Sequence, residues 1–124
     1  MIRSRIAVSA ALACAALALT ACSSGPSVEP TGHTTTVTVV AKDMSFSPDR
    51  IEVPAGDRLV VEFENDGTQL HDFTAGTLGA SELLGRGESE KLDLGVINAD
   101  AEFWCSVTGH REMGMEGDIV VSDE

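Results

Sequence analysis

The sequence predicts an all-β protein, a Greek-key antiparallel β-sandwich, from three observations. Short segments rich in β-branched or alternating apolar residues recur after residue 33. Turn signals made of Gly, Pro, Asn and Asp separate these segments. No segment keeps a helical period of apolar residues over three turns. About seven such strands in a chain of 124 residues, which is enough for one domain, are typical of a β-sandwich.

The predicted strands follow the apolar pattern in chain order. The first is dense in Thr and Val, and the third alternates, with Leu59, Val61 and Phe63 on one face. The predicted strands are 35–41, 51–53, 58–65, 70–74, 92–96, 101–106 and 118–122. The Gly-rich stretch 74–87 leaves room for at most one helical turn, near residues 81–84.

Two connections between predicted strands carry turn signatures. Residues 53–56 fit a type I turn, with Pro54 at the second position and Gly56 at the fourth. Residues 65–68 contain Asp66-Gly67, the strongest short hairpin signal, and the strand 70–74 is expected to follow this turn.

The first 33 residues have the composition of a leader and a linker rather than of a domain. Arg3 and Arg5 precede the apolar run 6–19, which is shorter than the roughly 17–25 residues that cross a bilayer as a helix. This order is typical of a secretory signal peptide at 1–21. Residues 22–33 are rich in Ser, Gly and Pro and are expected to form a flexible linker, in which His33 is a solvated residue. The folded domain is then 34–124.

The segment 19–22, Leu-Thr-Ala-Cys, resembles the lipobox of bacterial lipoproteins. The resemblance implies cleavage before Cys22, a lipid on its thiol, and an exported domain anchored to the outer face of the cell membrane or held in the periplasm. The other reading of this segment is an ordinary cleavage site with an incidental cysteine. Of the three cysteines, Cys14 would leave with the leader, so Cys105 would remain without a disulfide partner.

The charge balance of the chain limits its partners. Asp and Glu number 20 against 8 Lys and Arg, which gives a formal net charge of −12. Such a surface repels phosphate backbones and therefore excludes a nucleic-acid function. A redox partner with a basic docking patch is the electrostatic expectation, with an attraction that weakens as salt rises.

One loop and one upstream residue carry the donors of a metal site. Cys105, His110 and two thioethers, Met113 and Met115, lie close together in the chain, and His71 lies upstream. Two imidazoles, one thiolate and a weak thioether are the donors of a blue-copper electron-transfer site. Alternation of side chains is expected to turn His71 and Cys105 toward the apolar core. Zinc also accepts Cys and His and is the competing metal.

These residues resemble the type 1 copper motif of the cupredoxins, with a loop like that of azurin and of the rusticyanin and sulfocyanin group. The resemblance covers the chain after the linker and implies one copper ion with His71, Cys105 and His110 as equatorial ligands. It implies Met115 as the axial ligand, with Met113 as the alternative thioether. It also implies that the backbone N–H of Asp72 donates to the Cys105 sulfur and that His110 is the more exposed imidazole.

The sequence thus predicts a membrane-tethered type 1 copper protein that carries single electrons between exported redox partners. The alternative is a copper-binding module for storage, delivery or resistance, because it would need the same ligands. An enzyme is not expected, since three histidines cannot supply the additional clusters of multicopper oxidases. Trp104, on the opposite strand face from Cys105, is expected to pack between the sheets.

Overall fold

Residues 28–123 of the chain form two β-sheets packed face to face in a computed structural model, which describes only these residues. The predicted signal peptide 1–21, Cys22 and linker residues 23–27 lie outside them. The elements are β1 (Thr34–Lys42), β2 (Ser45–Ser47), β3 (Arg50–Pro54), β4 (Arg58–Asn65), a short 3₁₀ helix (Gly76–Leu78), β5 (Ser89–Val96), β6 (Ala101–Trp104) and β7 (Glu116–Ser122). No helix among the described residues combines the length and apolar character needed to cross a bilayer.

The first sheet has the strand order β2-β1-β4-β5 and the second the order β3-β7-β6. The predicted all-β sandwich is therefore confirmed. Its strand directions are more varied than predicted, because each sheet contains one parallel pair, β1 with β4 and β3 with β7. The chain leaves the first sheet to form β3 and returns as β4. A returning strand that lies beside β1 in this way can run in the same direction, which a direct hairpin does not allow.

The core lies between the sheets and follows the predicted alternation. Leu59, Val61 and Phe63 of β4 are fully buried, as the sequence pattern predicted. Phe73 and Phe103 stack in the middle of the sandwich with ring centroids 4.8 Å apart. Burying such rings supplies a large share of the apolar area that stabilises a small domain.

The chain after β4 differs from the prediction. Residues 70–74 form no regular strand and pair only through isolated bridges at His71 and Thr74. The Asp66-Gly67 signal does not produce a hairpin, because the Asn65 side chain accepts a hydrogen bond from the Gly67 N–H and bends the chain there, while β4 pairs with β5 instead.

Two local predictions shift in position. The Asp57 N–H donates to the Pro54 carbonyl at 3.0 Å, so the turn begins one residue later than predicted. Gly56 then occupies the third position with φ +88°, as a type II turn requires. The helical turn is at Gly76–Leu78 rather than 81–84, since Leu84 bridges to His71.

Gly117 in β7 lies against Phe103, and a methyl group there would overlap the Phe103 ring and the Asp49 carbonyl. We expect Gly117→Ala to lower the free energy of unfolding by about 3 kcal/mol, because a backbone oxygen cannot move aside as a side chain can. Gly87→Ala is the control, since no atom lies within 4 Å of its added methyl group and only its positive φ is strained. Urea unfolding of both variants measures the difference, and equal midpoints would contradict this account of Gly117.

Candidate metal centre

Three nitrogen and sulfur donors come together at one end of the sandwich, which we call the donor pole. One ligand atom from each of His71, Cys105 and His110 lies within 4.8 Å of the other two. The Cys105 Sγ is 3.5 Å from the Nδ1 of His110 and 3.9 Å from the Nδ1 of His71. The structure therefore brings together the three residues that the sequence predicted as equatorial ligands. Among the described residues, no other group of His, Cys and acidic side chains has this spacing.

The three donors are withdrawn from solvent to different degrees. His71 and Cys105 are fully buried, whereas His110 is 7% exposed. His110 is thus the more exposed imidazole, as the resemblance implied. The two imidazole rings are 5.1 Å apart between centroids. This arrangement gives the site one edge near the surface and three sides within the protein.

The loop from Cys105 to Met115 is closed by its own main chain. The Cys105 N–H donates to the Met115 carbonyl at 3.0 Å, and the Met115 N–H donates to the His110 carbonyl at 3.1 Å. The His110 N–H in turn donates to the Val107 carbonyl at 3.0 Å. These bonds hold three of the predicted ligands in one tight loop between β6 and β7.

The two methionines occupy different environments. Met115 is fully buried in the same apolar cluster as Cys105, whereas Met113 is 64% exposed. A buried thioether beside the cysteine has no competing water and is the better candidate for a weak axial donor. The burial therefore favours Met115, the choice made from the resemblance.

We expect Met115→Leu to raise the reduction potential of the copper-loaded protein and to change its visible spectrum. Loss of a fourth donor disfavours the oxidised ion more than the reduced one, and the axial ligand tunes the potential of such sites. Met113→Leu is the matched control and should leave both unchanged, since its side chain faces solvent. Voltammetry of the two variants decides between the thioethers, and the reverse pattern would assign the axial position to Met113.

Burial determines the protonation of the metal-free donors. Desolvation raises the pKa of the Cys105 thiol, while backbone hydrogen bonds from Asp72 and Val107 act in the opposite direction. Desolvation also lowers the pKa of His71, and the positive charge that His110 can carry lowers it further. The free site therefore favours a neutral His71 imidazole and a neutral Cys105 thiol, so a soft metal that binds the thiolate must displace a proton.

The Asp72 residue braces the cysteine from two directions. Its backbone N–H is directed at the Cys105 sulfur, as the resemblance implied. Its carboxylate accepts the Ser106 backbone N–H at 2.6 Å and also the Ser106 hydroxyl. One residue therefore links the segment that carries His71 to the loop that carries Cys105. The sequence analysis missed the carboxylate contact, because nothing in the pattern shows which residue faces Ser106.

The segment that carries His71 is held by a second buried polar residue, Asn65. Its side-chain amide donates to the carbonyls of Gln69 and Leu84, each at 2.8 Å, and its oxygen accepts from Gly67. Leu84 in turn exchanges two main-chain hydrogen bonds with His71. The sequence does contain a signal for Asn65. This polar residue follows Leu59, Val61 and Phe63 on the inward face of β4, where an apolar residue is expected.

We expect Asn65→Ala to lower the free energy of unfolding by about 1–3 kcal/mol, because it removes the side-chain donor to the Gln69 carbonyl, one of the two donors to the Leu84 carbonyl and the acceptor of the Gly67 N–H. The exposed Asn98 provides the control Asn98→Ala, which should change stability by less than about 0.5 kcal/mol. Denaturant unfolding without metal measures both, and a stable Asn65→Ala variant would show that this amide does not brace the segment.

Arg111, in the Cys105–Met115 loop, packs on Trp104 outside the core. Its guanidinium lies 4.3 Å from the centroid of the Trp104 ring and forms ion pairs with Glu102 and Glu116. The expectation that Trp104 packs between the sheets was wrong. The ring is on the outer face of β6, where its π face attracts the neighbouring cation.

Histidine Nδ1 and cysteine Sγ are borderline and soft donors. The other ring nitrogen of His71, Nε2, is buried without a hydrogen-bond partner. Gly67 is a close neighbour of this nitrogen, since a methyl group at Gly67 would be 3.2 Å from Nε2. The rings of His71 and His110 both direct Nδ1 at the Cys105 sulfur. Two imidazoles and one thiolate with a buried thioether nearby fit the preferences of a type 1 copper ion.

Comparison with known proteins agrees with the fold. None of the curated proteins matches the chain. Among solved structures, reduced auracyanin from Roseiflexus castenholzii is 19% identical, with a TM-score of 0.61, over 73% of this chain and 99% of that one. Auracyanin A, a blue copper protein from Chloroflexus aurantiacus, is 18% identical, with a TM-score of 0.62, over 72% and 99%. A purple cupredoxin from Nitrosopumilus maritimus is 18% identical, with a TM-score of 0.55, over 69% and 99%.

The sequence also matches a protein family. The model of the cupredoxin-like domain matches residues 9–121, which is most of the chain. Together with the two-sheet sandwich and the donor pole, this match shows that the chain belongs to the cupredoxin-like family.

Proposed function

We propose that the protein is a single-copper electron carrier that is exported and tethered to a membrane through Cys22. The observation that supports copper is the convergence of the His71, Cys105 and His110 donor atoms within 4.8 Å of one another in a buried site. The structural neighbours named a blue copper protein and a purple cupredoxin have the same fold. The anchor rests on the resemblance of residues 19–22 to a lipobox.

A copper ion at this site supplies one-electron chemistry between its cuprous and cupric states. The protein contributes a site that keeps its shape. The main-chain hydrogen bonds of the Cys105–Met115 loop and the Asp72 brace limit movement of the donors. Small rearrangement keeps the barrier to electron transfer low. The side chains around His71 and Cys105 exclude water from these two donors. A substrate therefore has no path to the metal position from their side of the site.

His110 is the proposed port for electrons. It is the only one of the three donor residues with exposed surface, and Met113, which is largely exposed, belongs to the same loop. A partner that contacts this edge would reach the ligand ring directly. We propose that the partner carries a basic docking patch, because the chain has a net charge of −12 and two acidic side chains near this edge are exposed, Glu112 on the loop and Glu116 at the start of β7.

The visible and EPR spectra of the protein isolated from its own host test the metal, and voltammetry tests the function. We expect an intense visible band and a reversible one-electron couple. Zinc in the isolated protein would contradict the metal assignment. Copper that passes to an acceptor without any reversible couple would favour the alternative, a copper storage or delivery module. Rates with a basic redox protein should fall with increasing salt.

A further inference from the structure

The residues just before β1 are fastened to the end of the sandwich opposite the donor pole. We call residues 28–33 the strap and the end formed by Gly56, Asp57 and Ile97 the tether pole. The Thr31 N–H donates to the Gly56 carbonyl at 3.0 Å, and the Arg58 N–H donates to the His33 carbonyl at 3.0 Å. The strap therefore runs along the tether pole as an added piece of backbone, although its composition is that of a linker.

A buried carboxylate secures the strap. Asp57 is 6% exposed and accepts the hydroxyl of Thr31 at 2.6 Å and that of Thr35 at 2.8 Å. These two hydrogen bonds hold the pKa of Asp57 below its usual value of 3.8, so the carboxylate is charged at neutral pH. Charge-assisted hydrogen bonds of this kind are stronger than those between neutral groups.

The shape of the tether pole also fits the strap. Gly56 has φ +88°, and a methyl group at this position would overlap the Glu29 carbonyl and lie 3.2 Å from the Val28 side chain. The strap backbone thus occupies the space that any other residue at Gly56 would fill. The absence of a side chain at Gly56 and the hydrogen bond from Thr31 to Asp57 both hold the strap, and the bond from Thr35 ties the same carboxylate to the start of β1.

The two poles are separated by the length of the strands. β1 and β4 run in parallel from the tether pole, where Thr34 is opposite Arg58, to the other end, where Ala41 is opposite Asn65. These strands have 9 and 8 residues, so the poles are about 26–30 Å apart. His71 and Cys105 follow the far ends of β4 and β6.

The length of the free chain then limits how the domain can sit on a membrane. From Cys22 to Val28 the chain has six steps and reaches at most about 20 Å. For the donor pole to face the membrane, the tether pole would have to stand about 26–30 Å above it, which exceeds this reach. With the strap detached, the twelve steps from Cys22 to Thr34 would reach about 40 Å and remove the limit.

We propose that the strap makes the tether pole the membrane-facing surface of the protein, so that the donor pole is directed away from the lipid. The inference rests on the proposed anchor at Cys22. The domain meets its redox partner through a surface about 26–30 Å from the tether pole. The electron partner is therefore a soluble protein or a domain that projects from the membrane by this distance.

Trp104 reports the orientation without depending on the metal. It is the single tryptophan of the chain, and it ends β6 at the donor pole beside Cys105. The lipidated full-length protein is bound to phosphatidylcholine vesicles that contain a dansyl-headgroup lipid, and energy transfer from Trp104 to the dansyl group is measured with and without copper. We expect weak transfer for the natural chain.

A variant with twelve Gly and Ser residues inserted between Ser27 and Val28 leaves every contact of the strap in place. We expect its energy transfer to rise by at least about twofold, because a tether with a reach of about 60 Å lets the donor pole approach the lipid. Asp57→Asn in the natural chain should raise transfer in the same direction by loosening the strap, and exposed Asp123→Asn is its control.

The outcomes separate this inference from the proposed anchor. Equal transfer for the natural and lengthened chains, with both bound to vesicles, would overturn the orientation and leave the anchor intact. Failure of the protein to bind vesicles, with Cys22→Ala behaving no differently, would overturn the anchor and the orientation together. Weak transfer that rises on lengthening supports both.

Discussion

Cys105→Ser is expected to abolish the intense visible absorption of the copper-loaded protein while the sandwich stays folded. The absorption of a blue-copper site depends on the thiolate, and a serine hydroxyl at neutral pH supplies neither its charge nor its soft sulfur. The side chain is fully buried, so the hydroxyl adds a polar group to the core at a cost of about 1–3 kcal/mol, less than the stability of an ordinary domain.

Absorption and EPR spectra measure the colour, and circular dichroism measures the fold. Met113→Leu serves as the control, since it changes a sulfur-containing residue of the same loop that faces solvent. A folded Cys105→Ser variant that keeps the parent spectrum would contradict the assignment of Cys105 as a ligand. A variant that binds copper but is colourless would agree with it.

The parts of the fold that the sequence predicted well are those with a regular side-chain period. The strand 58–65 has a strict alternation and is found as β4 with the predicted bounds. The donor residues near Cys105 were predicted from their types and spacing, because few amino acids can bind a soft metal and four of them occur in one order. Candidate metal ligands of this kind can be identified from residue types and spacing without a structure.

The parts that could not be predicted depend on contacts between distant segments. Residues 70–74 have strand-like composition, but the Asn65 side chain and Leu84 hold this segment in an irregular path. Likewise, the strap continues a Ser-, Gly- and Pro-rich linker and itself contains Pro30 and Gly32, yet Asp57 lies where it can bind the Thr31 hydroxyl. In both cases a polar side chain outside the segment outweighed its local composition.

Arg111 illustrates why the surface was the least predictable region. It stacks on Trp104 and pairs with two carboxylates, although each of these side chains is at least partly exposed. Exposed ion pairs contribute little free energy individually, so no strong sequence pattern accompanies them. Trp104 lies on the outer face of β6 because it alternates with the buried Phe103 and Cys105, and Arg111 covers its ring there.

Asp72→Ala is expected to weaken copper binding by about 10–100-fold, the usual effect of removing a residue that orients metal ligands. The substitution removes the two acceptors of Ser106, the residue next to Cys105, and frees the loop from the segment that carries His71. Its backbone N–H would remain but would no longer be held against the sulfur.

Asp72→Asn separates the hydrogen bonds from the charge. An amide of the same shape can still accept the Ser106 N–H and meet its hydroxyl, so copper should be retained better than in Asp72→Ala. Loss of a negative charge beside the thiolate should raise the reduction potential, since that charge favours the oxidised ion. Competition with a Cu(I) chelator and voltammetry measure the two effects. If Asp72→Asn binds copper as weakly as Asp72→Ala, the charge rather than the hydrogen bonds holds the loop. If Asp72→Ala binds copper as tightly as the parent protein, the brace between His71 and Cys105 has no role in binding.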